Sequence, residues 1–457
     1  MPVRSTLFAA FALVATTALA PAAFAQDNWT VQERWVRAHE GFLAGEALQG
    51  RGSATRDEAI AAAYVAAQFE GFGLVHAPGM DSYFQKATIV RLTADGPAQL
   101  SVNGKPIAAA PTVFTAPGNR VSGKVTVARS ADAKALPQGE VVLVGAADAE
   151  PMALYRTAMQ KKIKLLVLRE SEASRDLYTK LGGAPRLPAY LEGDDPGERT
   201  AIATLPGDAF DALAKKPGAT VDLALPSVIE DRAVTTNAIG YLPGSDPEAG
   251  TLLFTAHLDH LGVQPDGTVM YGANDDASGT TAVIEIARAL AAGKQPKRSI
   301  LFVCYGSEEI GLYGSKYFGE HPPVPLEQIV ANIEFEMIGA QDPKLPKDTL
   351  MMTGYERSNL GEVIKAHGGL VAPDPYPDQH FFQRSDNYSL ALKGIVAHTF
   401  SGWAVTPTYH DKTDTVASID FDFMTKAIQS LIEPMRWLAD GDFTPEWKPG
   451  GRPEAAK

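Results

Sequence analysis

Five short clusters in the second half of the chain combine histidines with carboxylates: His257-Leu258-Asp259, Asn274-Asp275-Asp276, Glu308-Glu309, Glu334-Phe335-Glu336 and Tyr409-His410. Taken singly, each has an ordinary reading. A His-x-Asp pair is often a plain hydrogen-bonded pair, Asp-Asp before Ser-Gly suits a helix N-terminus, and Glu-Glu usually lies on a solvated face. Glu334 and Glu336 fit such readings least, because they interrupt an apolar run, where unpaired carboxylates cost several kcal/mol. Together, two histidines and several carboxylates make a donor set suited to a borderline metal such as zinc, and a shared carboxylate would allow two ions.

The elements around these clusters explain how they would meet. Apolar runs predict strands over 251–259, 299–306, 329–338 and 394–400. Helices are expected near 279–292, 311–319, 357–367 and 419–439, with two more at 28–48 and 55–72. Near-continuously apolar strands alternating with helices imply an α/β fold, a mostly parallel, mixed sheet covered by helices on both faces. Ligands in such sheets gather beyond the carboxyl ends of the strands, where each cluster falls. From about 87 to 230 the pattern changes to short β-branched runs separated by Gly/Pro turns, with one helix-like stretch, PMALYRTAMQKK. That reads as a small β-rich insert, 93–230, dividing a main domain into 26–92 and 231–442, with a frayed tail at 443–457.

Composition narrows the partners. The 457 residues carry a formal charge of −13, which disfavours nucleic acid or an anionic membrane. Cys304 is the single cysteine, so no internal disulfide or four-Cys site can form; it sits in an apolar strand and reads as core. Arg4, an apolar run and Ala23-Phe24-Ala25 have the form of a secretory signal peptide over 1–25, which implies export to a periplasm or beyond. No later run is long enough for stable membrane insertion. His39, His76, His321 and His367 lie outside the clusters and read as surface residues.

The segments HLDH, YGANDDASGTTAVIEIARAL, KRSILFVCYGSEEIGLYGSKYF, NIEFEMIG, RSDNYS and TYHDKTDT occur in an order and at spacings that resemble the two-zinc aminopeptidases and their glutamate carboxypeptidase-like relatives. LQGRGSATRDEAIAAAYVAAQFEGFGL is similar to that family's entry helices, and the insert resembles a protease-associated domain. The resemblance implies two zinc ions per chain and peptide substrates. It makes His257 and Glu336 ligands of one ion, Glu309 and His410 ligands of the other, and Asp275 the bridge. Asp259 would orient His257, Asp276 would stand behind a cis peptide that aims the bridge, and Glu308 would be the general base. Glu336 departs from the aspartate common there, and Glu334 would lie behind it. Tyr409 is a candidate oxyanion donor or a packing residue. Asp386 would support the substrate loop, and His260 could reach the cleft or play a structural part.

The implied activity is a zinc exopeptidase, first an aminopeptidase. A carboxypeptidase or dipeptidase would need an arginine for the substrate carboxylate, and Arg384 is the evident candidate. A glutaminyl cyclase-like enzyme with one zinc and an inactive binding protein are the remaining alternatives.

Overall fold

The computed structural model describes residues 29–145, 151–180, 183–195, 199–225 and 227–454. The signal-peptide expectation at 1–25 falls outside these. No helix among the described residues is long and apolar enough to cross a membrane.

A nine-stranded sheet runs in the order Val371–Pro373, Leu350–Met352, Ala397–Ser401, Ile329–Phe335, Thr251–His257, Ser299–Tyr305, Val228–Leu242, Phe84–Ala94, Ala189–Leu191. Its four central strands, from Ala397–Ser401 to Ser299–Tyr305, pair in parallel, and antiparallel pairing flanks them. The alternation of the Ser299–Tyr305 strand shows why its sequence is apolar throughout. Ile300, Phe302 and Cys304 join the core under helices Ser278–Ala291 and Phe421–Asp440, while Leu301, Val303 and Tyr305 join the core on the opposite face. Burial pushes the Cys304 thiol well up, as suits an inert core residue.

A second sheet of eight strands is built from residues between Gln99 and Ala224 and has cores of its own on both faces. The strands that lead into it and out of it, Phe84–Ala94 and Val228–Leu242, are paired in register down to Ala94 and Val228. Two features differ from the sequence reading. Among the described residues three helices lie here instead of one: Pro151–Gln160, Glu172–Lys180 and Gly207–Ala214. Glu172–Lys180 is too short and too charged to stand out by pattern, and Ser171 and Ser174 fix its start by exchanging side-chain to backbone bonds. Moreover, Ala189–Leu191 leaves the second sheet and adds an edge strand to the first, where its Ala189 carbonyl accepts the Tyr313 hydroxyl.

Two further expectations are corrected. The tail is docked, not frayed: the Trp447 indole donates to the Gly394 carbonyl, and Glu446 N–H bonds Asn359. His39 is buried between Tyr64 and Glu285, because an amphipathic helix can turn a histidine inward when a carboxylate waits there.

His398, fully buried, is held by the Thr353 carbonyl at Nδ1 and Ser358 Oγ at Nε2. Burial pushes its pKa down to about 4. A group depressed from about 6.5 stays neutral in the fold while the unfolded chain protonates, so stability is full above pH 6.5 and falls as pH drops toward 4, by roughly 3 kcal/mol. Denaturant unfolding at pH 7 and pH 4.5 should show a smaller loss for His398→Leu than for the wild type; equal losses would assign the acid sensitivity elsewhere.

Candidate metal centre

The clusters meet at the carboxyl ends of the central strands. His257 is the last residue of its strand, and Glu308-Glu309 turns out of the strand ending at Tyr305. Glu336 lies one residue past Phe335, and His410 sits in the loop after Ser401. Ser307, Met337 and His410 have φ of +56°, +54° and +51°, conformations that cost non-glycine residues roughly 1–3 kcal/mol and turn the chain sharply beside Glu308, Glu336 and at His410 itself.

Two donor groups share Asp275. His257, Asp275 and Glu336 bring ligand atoms within 4.8 Å of one another, as do His260, Asp275 and Glu309. His257 Nε2 is 3.2 Å from Asp275 Oδ1, and His410 Nε2 is 3.2 Å from both Asp275 Oδ2 and Glu309 Oε2. Donors about 2.0–2.1 Å from one tetrahedral zinc would stand about 3.3 Å apart, so these atoms sit along the edges of such polyhedra. His257 is fully buried, and among the described residues its Nε2 has no hydrogen-bond partner.

Charge points the same way. Among the described residues no Lys or Arg forms an ion pair with Asp275, Glu308, Glu309 or Glu336. Burial pushes Glu308 well above the ordinary carboxylate range and Glu336 up to about 7, each helped by neighbouring carboxylates. Burial also pushes Asp275 and Glu309 upward, but the adjoining His257 and His410 rings hold Asp275 low, and those of His260 and His410 hold Glu309 low. Against the opposing effect of burial, Asp275 and Glu309 raise His410 to about 10. A divalent cation relieves this crowding of buried like charges, and the donor set fits one or two of them.

The remaining predicted residues take defined places. The Asp275–Asp276 peptide is cis. Asp276 accepts the N–H groups of His257, Gly279 and Met337, tying together three segments that carry donors. The Asp259 carboxylate differs from expectation: it stands 3.7 Å from His257 Nδ1, beyond hydrogen-bond range, and instead accepts Glu308 N–H at 3.0 Å and Ser53 Oγ at 2.5 Å. His257 Nδ1 lies nearer the Asp259 carbonyl, at 3.2 Å. Glu334 accepts Ser385 Oγ, Asn387 N–H and Thr399 Oγ1. Asp386 is fully buried, and among the described residues neither of its oxygens has a hydrogen-bond partner. Tyr409 stacks on His410, and with Arg384 and Glu336 it lines a recess whose apolar walls include Met337, Met351 and Phe381.

Sequence reading missed the N-terminal frame. Arg51, wholly buried, donates to the carbonyls of Leu43, Leu258, Tyr271 and Gly272, and so holds the His257 and Asp275 loops together. Glu58 accepts Ser307 Oγ and Thr236 N–H beneath the Glu308 turn. Asp414 accepts the N–H groups of Asn274 and Asp275. The LQGRGSATRDE segment was the available signal, read only as a helix entry.

Residues 237–433 match the model of peptidase family M28. Leupeptin-inactivating enzyme 1 of Streptomyces exfoliatus is 38% identical over 109 residues, 23% of this chain and 23% of that protein, so the chain's match spans about a quarter of that relative. The solved aminopeptidase from Aneurinibacillus sp. strain AM-1 superposes with a TM-score of 0.58 at 18% identity, covering 90% of this chain and 96% of that one. The zinc aminopeptidase from Bacillus subtilis gives 0.54 at 18% identity, covering 90% and 98%. At those identities the structures speak for a common fold, and the family match falls on the strands and loops that carry the donors. Through residues 237–433 the chain is similar to peptidase family M28.

Proposed function

We propose that this chain is an exported zinc exopeptidase, most simply an aminopeptidase. The observation that carries the reading is the meeting of donors around Asp275, His257 and Glu336 on one side and Glu309 and His410 on the other, with Glu308 beside them. His257 and Glu336 would hold one zinc ion, Glu309 and His410 the other, and Asp275 both. Zinc held there supplies a water acidified from about 15.7 toward 7 and an electrophile for the scissile carbonyl. Glu308 takes the attacking water's proton and passes it to the leaving amine, and Asp259 holds the Glu308 backbone for that task. Tyr409 would donate to the developing oxyanion. Asp276 supports the donor loops through the N–H groups it accepts, and Asp386 is read as part of the loop that frames the substrate pocket. The second sheet, over about 93–230, is read as an inserted protease-associated unit that shapes access to the cleft; the Ala94–Val228 register supports a unit entered and left at one place, and Ala189–Leu191 anchors it to the peptidase sheet.

Arg384 favours a second reading, a carboxypeptidase or dipeptidase. Its guanidinium stands 5.0 Å over the Phe381 ring at the recess and makes no ion pair among the described residues, so a substrate carboxylate could take it. Peptides with free, N-acetylated and C-terminally amidated ends decide between the two. Aminopeptidase action should survive amidation and disappear on acetylation; the reverse pattern would transfer the assignment to the Arg384 reading. Zinc analysis of the purified protein should give two ions per chain, and none would remove both readings.

A further inference from the structure

His260 follows the His257-Leu258-Asp259 cluster directly and is fully buried. Its backbone is pinned, because its N–H donates to the Arg51 carbonyl and it bridges to Gly52. Its ring is pinned as well. Gly272, at φ +60°, lies so close that a Cβ there would overlap the His260 ring and the Asp275 carbonyl. The ring therefore has one place to be, with Nδ1 2.6 Å from Glu309 Oε1 and 3.9 Å from Asp275 Oδ2.

Distance separates the two parts such a ring could play. Two donors on one tetrahedral zinc stand about 3.3 Å apart. The three contacts of 3.2 Å made by His257 and His410 match that spacing. A separation of 2.6 Å is too short for it and is the length of a charge-assisted hydrogen bond. An ionised carboxylate can only accept, so Nδ1 is the donor of this bond, and Nε2 is buried without a partner among the described residues.

We infer that His260 is a positioning residue: it donates Nδ1–H to Glu309 Oε1, and so leaves Oε2 alone to face His410 and Asp275 for one-oxygen ligation. The inference rests on the proposed zinc reading. It divides the work among the histidines, since His257 and His410 ligate while His260 restrains a ligand.

The test is zinc binding to metal-stripped protein, by titration with Zn2+ alone in competition with a chromophoric chelator, for wild type, His260→Ala and His260→Asn. The Asn amide nitrogen can stand near the place of Nδ1 and donate the same bond, but it replaces an imidazole ligand poorly. His260→Ala should weaken one of the two zinc ions by about 10–100-fold, the usual cost of losing a group that orients a ligand, and leave the other unchanged. His260→Asn should return most of that affinity. If His260→Ala does not fold, the Asn variant alone decides, since a direct ligand replaced by Asn loses a site and a positioning residue does not. Unchanged affinity in a folded His260→Ala variant, or an Asn variant with one site lost, overturns the inference while leaving two zinc ions on the wild type. Wild-type protein that takes up no zinc overturns the metal reading and this inference together.

Discussion

Glu308→Gln should lower turnover by at least about 10²–10⁴-fold, the range assigned to general acid–base groups, while both zinc ions remain bound. Its backbone N–H is fixed by Asp259, its carboxylate is crowded by Glu309, Glu336 and Asp386, and no hydrogen bond among the described residues engages its side chain. A carboxylate left without a structural partner beside two donor groups is available to carry protons. Gln keeps the shape and removes the proton-accepting charge. The neighbouring Glu309→Gln should behave in the opposite way, losing zinc first, because both Glu309 oxygens are already engaged by His260 and His410. Zinc analysis beside kcat for the two variants is the measurement; zinc lost from Glu308→Gln and kept by Glu309→Gln would reverse the pair.

Glu336→Ala should cost one zinc ion and nearly all hydrolysis, whereas Glu334→Ala should cost stability and keep both ions. The two residues are separated by one position, yet their surroundings differ in kind. Glu334 lies within the strand, and Ser385, Asn387 and Thr399 saturate its carboxylate. Removing it strands three buried donors, at about 1–3 kcal/mol each before relaxation, so a loss of several kcal/mol is expected in denaturant unfolding. Glu336 lies past the strand end, with its backbone N–H on the Phe400 carbonyl and its carboxylate grouped with His257 and Asp275. Glu336→Asp should restore much of the lost metal binding, since either carboxylate can ligate zinc. Zinc titration of each metal-stripped variant tests the pair. A Glu334→Ala protein with one zinc beside a Glu336→Ala protein with two would exchange their roles.

The residue types of the centre were legible because zinc chemistry needs side chains that a core excludes. Carboxylates interrupting the Ile329–Phe335 run, and histidines closing apolar runs at 257 and following one at 410, stand out against the even hydropathy of buried parallel strands. Strand–helix alternation then implied that these breaks share one end of a sheet. The boundaries were legible to within a few residues for the same reason, as with Thr251–His257 and Ser299–Tyr305.

Tertiary structure alone decided how each group is oriented. Arg51 reaches Gly272 across more than two hundred residues, and an arginine that will spend its donors on backbone carbonyls has no local mark separating it from a solvated one. Asp259 turned from the histidine two residues before it to the Glu308 N–H, a choice set by how two loops approach. His260 faces Glu309 because Gly272 packs against its ring, and Trp447 docks the tail because Gly394 offers a carbonyl there. Periodicity reports which side of an element is buried; it carries no information about which distant donor meets which oxygen, since those bonds form only when separate loops are brought together by the packed sheet.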